Sequence, residues 1–116
     1  MTTALASRLE TLANRINQLF VALCENYAKS NAGSKYYHPD QLSFEIVSGT
    51  KYHKIVMHHQ GSRSVHAFVH KQSGAVYKPA SWKSPAKHVR YNLLDDASFE
   101  DCLKRADWAG GYLYLP

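Results

Sequence analysis

The hydrophobic period of this chain changes from helical to alternating near residue 40, and that switch restricts its fold more than any other feature. Leu5, Leu9, Leu12, Ile16, Leu19 and Leu23 follow one another at steps of 4, 3, 4, 3 and 4. Such steps hold side chains on one face of an α-helix, and Ala13, Phe20 and Tyr27 widen the stripe. Thr3 is the expected N-cap, and Asn31-Ala32-Gly33 supplies the stop. A helix over residues 4–29 would be about 39 Å long at 1.5 Å per residue. That is long for a single domain of 116 residues, whose radius of gyration should be roughly 13–14 Å. Packing of the stripe on a sheet is the main expectation, with the far end projecting. The alternative is a homodimer through the N-terminal helix.

Beyond the polar linker SNAGSKYYHPD, LSFEIV places Leu42, Phe44 and Ile46 on one side, the mark of a strand. KYHKIVMHH, RSVHAFVH and AVYK continue the alternation, separated by Ser48-Gly49-Thr50, Gln60-Gly61-Ser62 and Lys71-Gln72-Ser73-Gly74. Short turns in succession favour an antiparallel meander over a parallel sheet. Residues 79–94 read as a basic crossing, because Pro79 and Pro85 interrupt a ladder and Ser84-Pro85 fits a helix start over 85–91. Asp95, Asp96 or Ser98 would cap a clearer helix bearing Phe99, Cys102, Leu103 and Ala106. A Gly-Gly turn then leads to a last strand, Tyr112 to Leu115. The expected architecture is one α+β domain: a long N-terminal helix (1–32), four to five antiparallel strands (40–78 and the last), the crossing, and a short C-terminal helix.

Charge is segregated along the chain. The net charge is +5, yet no acid occurs between Glu45 and Asp95. Lys51, Lys54, Arg63, Lys71, Lys78, Lys83, Lys87 and Arg90 lie in that block, with all the histidines except His38. Such a block predicts a positive face that attracts an acidic partner. Its C-terminal end, VYKPASWKSPAKHVRY, mixes cations with Tyr77, Trp82 and Tyr91. Lysine and arginine neutralise phosphates, and unpaired bases stack on aromatic faces. Trp82 and the tyrosines have a second reading, as core anchors with polar tips.

Other chemistry finds little support. His53 and His59 share one face of a predicted strand and His66 and His70 share a face of the next, but their spacing matches no metal motif, and no cofactor or metal is expected. Ser84-Pro85-Ala86-Lys87 matches a Ser-x-x-Lys pattern whose further motifs this chain lacks. Neither Cys24 nor Cys102 has a catalytic partner, and both read as buried thiols of a reducing compartment. No arrangement of catalytic residues emerges. The start MTTALASRLE lacks the features of a signal peptide, and no apolar run approaches membrane-spanning length.

The stretch SVHAFVHKQSGAVYKPASWKSPAKHVRYNLL, continuing to ADWAGGYLYLP, resembles a recurrent family of small tailed-bacteriophage proteins. Its recognisable string is VYKPASW…PAK…R-x-N-L, here residues 76–93. The resemblance covers residues 51–116 and leaves the N-terminal helix unmatched. It implies a virus-encoded protein acting in the host bacterial cytoplasm, and it assigns no role to any residue.

These readings converge on a nucleic-acid-binding accessory protein that prefers single-stranded DNA or RNA. Lys78, Trp82, Lys83, Lys87 and Arg90 are its expected contacts, Tyr77 and Tyr91 its stacking candidates. Lys51, Lys54, Arg63 and Lys71 extend the track. The alternative is a protein-interaction module whose basic face docks on an acidic host protein and modulates it.

Overall fold

The computed structural model describes residues 2–33 and 41–114, with side chains from residue 7 onward. Helix α1 spans Thr2–Ser30, about 44 Å at 1.5 Å per residue. It starts before Thr3, which therefore lies within the helix rather than capping it. Leu12, Ile16, Leu19, Leu23 and Tyr27 are its buried stripe. Each aliphatic side chain so removed from water contributes about 1.5–3 kcal/mol. The stripe ends sooner than its spacing suggests: Leu9 is 46% exposed and Ala13 is exposed, so the first turns run past the core. The side chain of Leu5 lies outside the described residues. At the other end the Asn31 amide and side chain both donate to the Tyr27 carbonyl, and Gly33 takes φ +84°.

Strands β1 (Leu42–Ser48), β2 (Tyr52–His59), β3 (Ser62–His70), β4 (Ala75–Pro79) and β5 (Pro85–Asn92) form one antiparallel sheet in sequence order. Gln60 (φ 51°) and Gly61 (φ 83°) make the two-residue β2–β3 turn in the left-handed conformation that matches strand twist. Gly74 is required by space as well as by its φ of +78°. A Cβ there would stand 2.7 Å from Leu94 Cγ and 2.9 Å from Asn92 Oδ1. The β2–β3 register shifts between Ile55 and Val56: Ile55 faces Ala67, Val56 faces Val65, and His66 is left over as a bulge.

Residues 85–92 correct the expected helical turn, since they form β5. The prolines do not break a strand because they lie where ladders end. Pro79 closes β4, Pro85 opens β5, and the two face each other at the mouth of the hairpin. Ser84 does not cap a helix; its carbonyl accepts from the Ala80 and Ser81 amides within the turn. A second correction concerns the C-terminus, where Gly111–Leu113 form a 3-10 turn in place of a strand. Leu115 lies outside the described residues.

Helix α2 (Asp96–Arg105) is capped by Asp95, whose carboxylate accepts from the Ala97 amide at 3.1 Å. Both helices bury their apolar faces on the same side of the sheet. Leu12, Ile16, Leu19 and Leu23 of α1 and Phe99 and Cys102 of α2 share one core with Ile55, Ala67, Val69, Val76 and Tyr91. Arg15 joins the helices by donating to the Leu93 carbonyl (2.8 Å) and to Asp96 (2.7 Å), with its guanidinium over the Phe99 ring. Trp108 closes the same layer, its ring against Tyr27 and His59 and its amide donating to Asn26. Among the described residues, no helix is long and apolar enough to cross a membrane.

Candidate functional site

Among the described residues no helix lies on the opposite face of the sheet, and the residues of that face follow from the register. Antiparallel partners point to the same side. Glu45 pairs with Val56, Val47 with Lys54, Tyr52 with His70, Lys54 with Phe68, His58 with Arg63, and Phe68 with Tyr77. The open face thus combines Tyr52, Phe68 and Tyr77 with Lys54, Arg63, His58 and His70. Tyr52 is the hub of an aromatic group, edge-on to Phe68 (5.9 Å), His70 (5.4 Å) and Tyr77 (6.0 Å).

Trp82 reaches this face from the β4–β5 turn. The turn is held by the Ser81 hydroxyl, which accepts from the Lys83 and Ser84 amides at 3.2 Å each. This places the indole beside two cations from different strands, Lys54 Nζ at 4.6 Å and Arg63 Cζ at 5.3 Å from the ring centroid. Such contacts are worth about 0.5–1 kcal/mol each near water. Val56 and Phe68 are buried on a face that no helix covers. Trp82 itself remains 43% exposed, so indole surface is left for a ligand.

Beside Trp82 lies a cavity of about 280 Å³, lined by the β1–β2 turn, Tyr52, Phe68 and three lysines, Lys51, Lys54 and Lys83. A second depression shares Thr50 and Lys51 and continues to His70 and Lys71. A third runs from Arg63 and Val65 to Ser81 and Trp82. Concave, basic and aromatic surface therefore runs along the open face from the β1–β2 turn to Arg63.

The charge along it is uneven. Glu45, the last acid before the acid-free block, is brought back beside the block by strand pairing. It lies 2.6 Å from His58 Nε2 and 3.6 Å from Arg63. Among the described residues, no acid pairs with Lys51, Lys54, Lys71 or Lys83. The positive potential is thus weakened at the Arg63 end and undiminished at the β1–β2 turn.

Of the residues singled out from the sequence, Lys51, Lys54, Arg63, Tyr77, Trp82 and Lys83 meet on this face, with Lys71 at its corner. Tyr91 does not: it is buried on the helix side, faces Val76, and donates its hydroxyl to the Tyr112 carbonyl at 3.1 Å. Lys78 turns to the C-terminal segment, 4.4 Å from the Tyr114 ring. Lys87 is exposed and Arg90 half-buried on the edge strand β5, and Arg90 Nε is buried with no hydrogen-bond partner among the described residues. Tyr52, Phe68 and Thr50 were not anticipated. Alternation along β2 and β3 could have found the first two, whereas the cavity at Thr50 depends on how the hairpins converge.

The histidines disperse. His66 and His70 do not share a face, because the bulge sends His66 into the core. There His66 Nε2 lies 2.7 Å from the Tyr112 hydroxyl and the ring is edge-on to Phe44. Burial lowers the His66 pKa from 6.5 to about 4, against an opposing pull from Asp107. Burial also raises Tyr112 well above the usual phenol value. Among the described residues, no three of His, Cys, Asp and Glu stand where they could share a metal ion. Cys102 is buried, and burial pushes its thiol up to about 12. Cys24 is exposed, contrary to its expected burial, because it falls one position beyond the Leu23 stripe.

A helix-backed antiparallel meander with an aromatic, cation-lined open face is the class of domain that this geometry defines. By sequence the chain belongs to a family described as Family of unknown function (DUF7717), matched over residues 2–115. The match takes in the N-terminal helix, which lay outside the resemblance over residues 51–116. No curated protein and no solved structure matches the chain.

Proposed function

We propose that the helix-free face binds single-stranded nucleic acid, DNA or RNA, through backbone charge and stacking. One observation carries the reading: an exposed indole, Trp82, is held between Lys54 and Arg63 beside a cavity lined by three lysines with which no acid pairs among the described residues. An exposed ring offers a base its π-face, and stacking of this kind contributes about 1–3 kcal/mol per base. The adjoining ammonium groups meet the phosphates. Single strands suit this face because their bases are free to stack, which a duplex prevents. The resemblance to tailed-phage proteins adds a setting, the cytoplasm of an infected bacterium. On this reading the protein is an accessory to viral nucleic-acid metabolism.

Binding of labelled single-stranded DNA, single-stranded RNA and duplex across a salt series tests it. The single strands should bind more tightly than the duplex. With three to four phosphates neutralised, log K should fall against log salt with a slope of about −2 to −3. Weak binding that added salt leaves unchanged would overturn the reading. A stoichiometric protein partner, kept after nuclease treatment and lost with Lys54→Ala, would favour an acidic protein as the ligand of this face. Leu9, an exposed member of the α1 stripe, is what a helix-mediated homodimer would cover, and analytical ultracentrifugation decides that question.

A further inference from the structure

We infer that the cavity walled by the β1–β2 turn is a seat for a phosphomonoester: the terminal phosphate of a strand, or the phosphate of a free mononucleotide. The inference rests on the nucleic-acid reading of the open face and assigns one particular place within it.

Three observations point there. The cavity is lined by lysines from three separate segments: Lys51 from the turn, Lys54 from β2 and Lys83 from the β4–β5 hairpin. Among the described residues no acid pairs with any of them, and the nearest acid along β1, Glu45, is engaged by His58 and Arg63. An internal phosphodiester carries a single negative charge and leaves such a trio in excess. A monoester carries about −1.5 to −2 at neutral pH, with three free acceptor oxygens, and matches it better.

The shape agrees with the charge. At about 280 Å³ the cavity falls just below the size of ligand sites, roughly 300–1,000 Å³. That is room for one nucleotide unit. Residues Val47 to Tyr52 form a continuous wall on one side, so a strand crossing Trp82 meets the turn and ends there. Thr50 adds a hydroxyl on that wall, and the half-buried Tyr52 ring supplies apolar surface for a sugar or base. Lys71, beyond the wall, strengthens the field without reaching the seat.

The test uses the full chain and oligonucleotides of one sequence, with and without a terminal phosphate, together with adenosine monophosphate and adenosine. Wild type should bind the phosphorylated strand at least about 5-fold more tightly, a preference that Lys83→Ala and Lys51→Ala both remove. Lys51 and Lys83 are exposed, so neither substitution should disturb folding, which circular dichroism checks. Trp82→Ala should weaken both strands alike and leave their ratio unchanged. If both strands bind wild type equally, the seat is overturned and the strand-binding reading stands. If adenosine monophosphate binds, adenosine does not and neither strand does, the seat stands with a mononucleotide as its ligand, and strand binding fails. If none of the probes binds, both readings fall.

Discussion

The two faces of the sheet exclude water by different means. On the helix side, Leu12, Ile16, Leu19 and Leu23 cover Ile55, Ala67, Val69 and Val76, an arrangement of mostly aliphatic side chains with one use. On the open side, Val56 and Phe68 are buried with no helix above them, and Trp82, Lys54 and Arg63 gather there. Those side chains are the same ones that could meet a ligand. On the proposed reading, stability and recognition are separable on one face and entangled on the other, and substitutions should reveal that asymmetry.

The largest effect belongs to the helix face. Leu19→Ala removes a fully buried side chain and should cost about 3 kcal/mol in denaturant unfolding. Nucleic-acid affinity of the fraction still folded should be unchanged. Of similar size is a pH effect from the same side. His66 titrates near 4 when folded and near 6.5 when unfolded, so the unfolded chain takes up the proton first as pH falls. The contribution of this group should be constant above about pH 7 and decline between 6.5 and 4. It should then level off with a total loss of about 3 kcal/mol from this group. His66→Phe should flatten that part of the profile, as thermal melts across pH would show. Gly74→Ala should cost more than about 1 kcal/mol through φ and the clash with Leu94 and Asn92.

Trp82→Ala is the decisive test of entanglement. It should lower stability by about 1 kcal/mol through two lost cation contacts. It should also weaken single-strand binding by about 1–3 kcal/mol. A change in only one of these would break the proposed link between stability and binding. The smallest effect is expected from Lys87→Ala on the exposed edge strand: stability within about 0.5 kcal/mol, and little change in affinity.

Much of the fold is legible in the residues. The 4-3 steps of α1 and the alternation of β1 to β3 arise from burial on one face, which leaves a periodic trace. β5 was hidden because proline is read as a strand breaker, whereas Pro79 and Pro85 occupy the ends of their strands, where no ladder is lost. The site was half legible. Its cations could be listed from the acid-free block, but distance along the chain says nothing of which face a residue takes. Tyr91 follows Arg90 directly and goes to the core, and Glu45 lies outside the block yet pairs with Arg63 inside the fold.

The bulge at His66 has a consequence for how this chain tolerates change in length. Loss of one residue from a strand ordinarily turns every later side chain to the wrong side. Here Val65 and Ala67 already face Val56 and Ile55, which are neighbours in β2. Deleting His66 would bring the ladder into unbroken phase with both faces intact. The molecule carries one residue more than its sheet needs, and that surplus residue ties the C-terminal turn to the sheet through Tyr112. A gene copy missing that single codon should still encode this sheet, with a loosened tail.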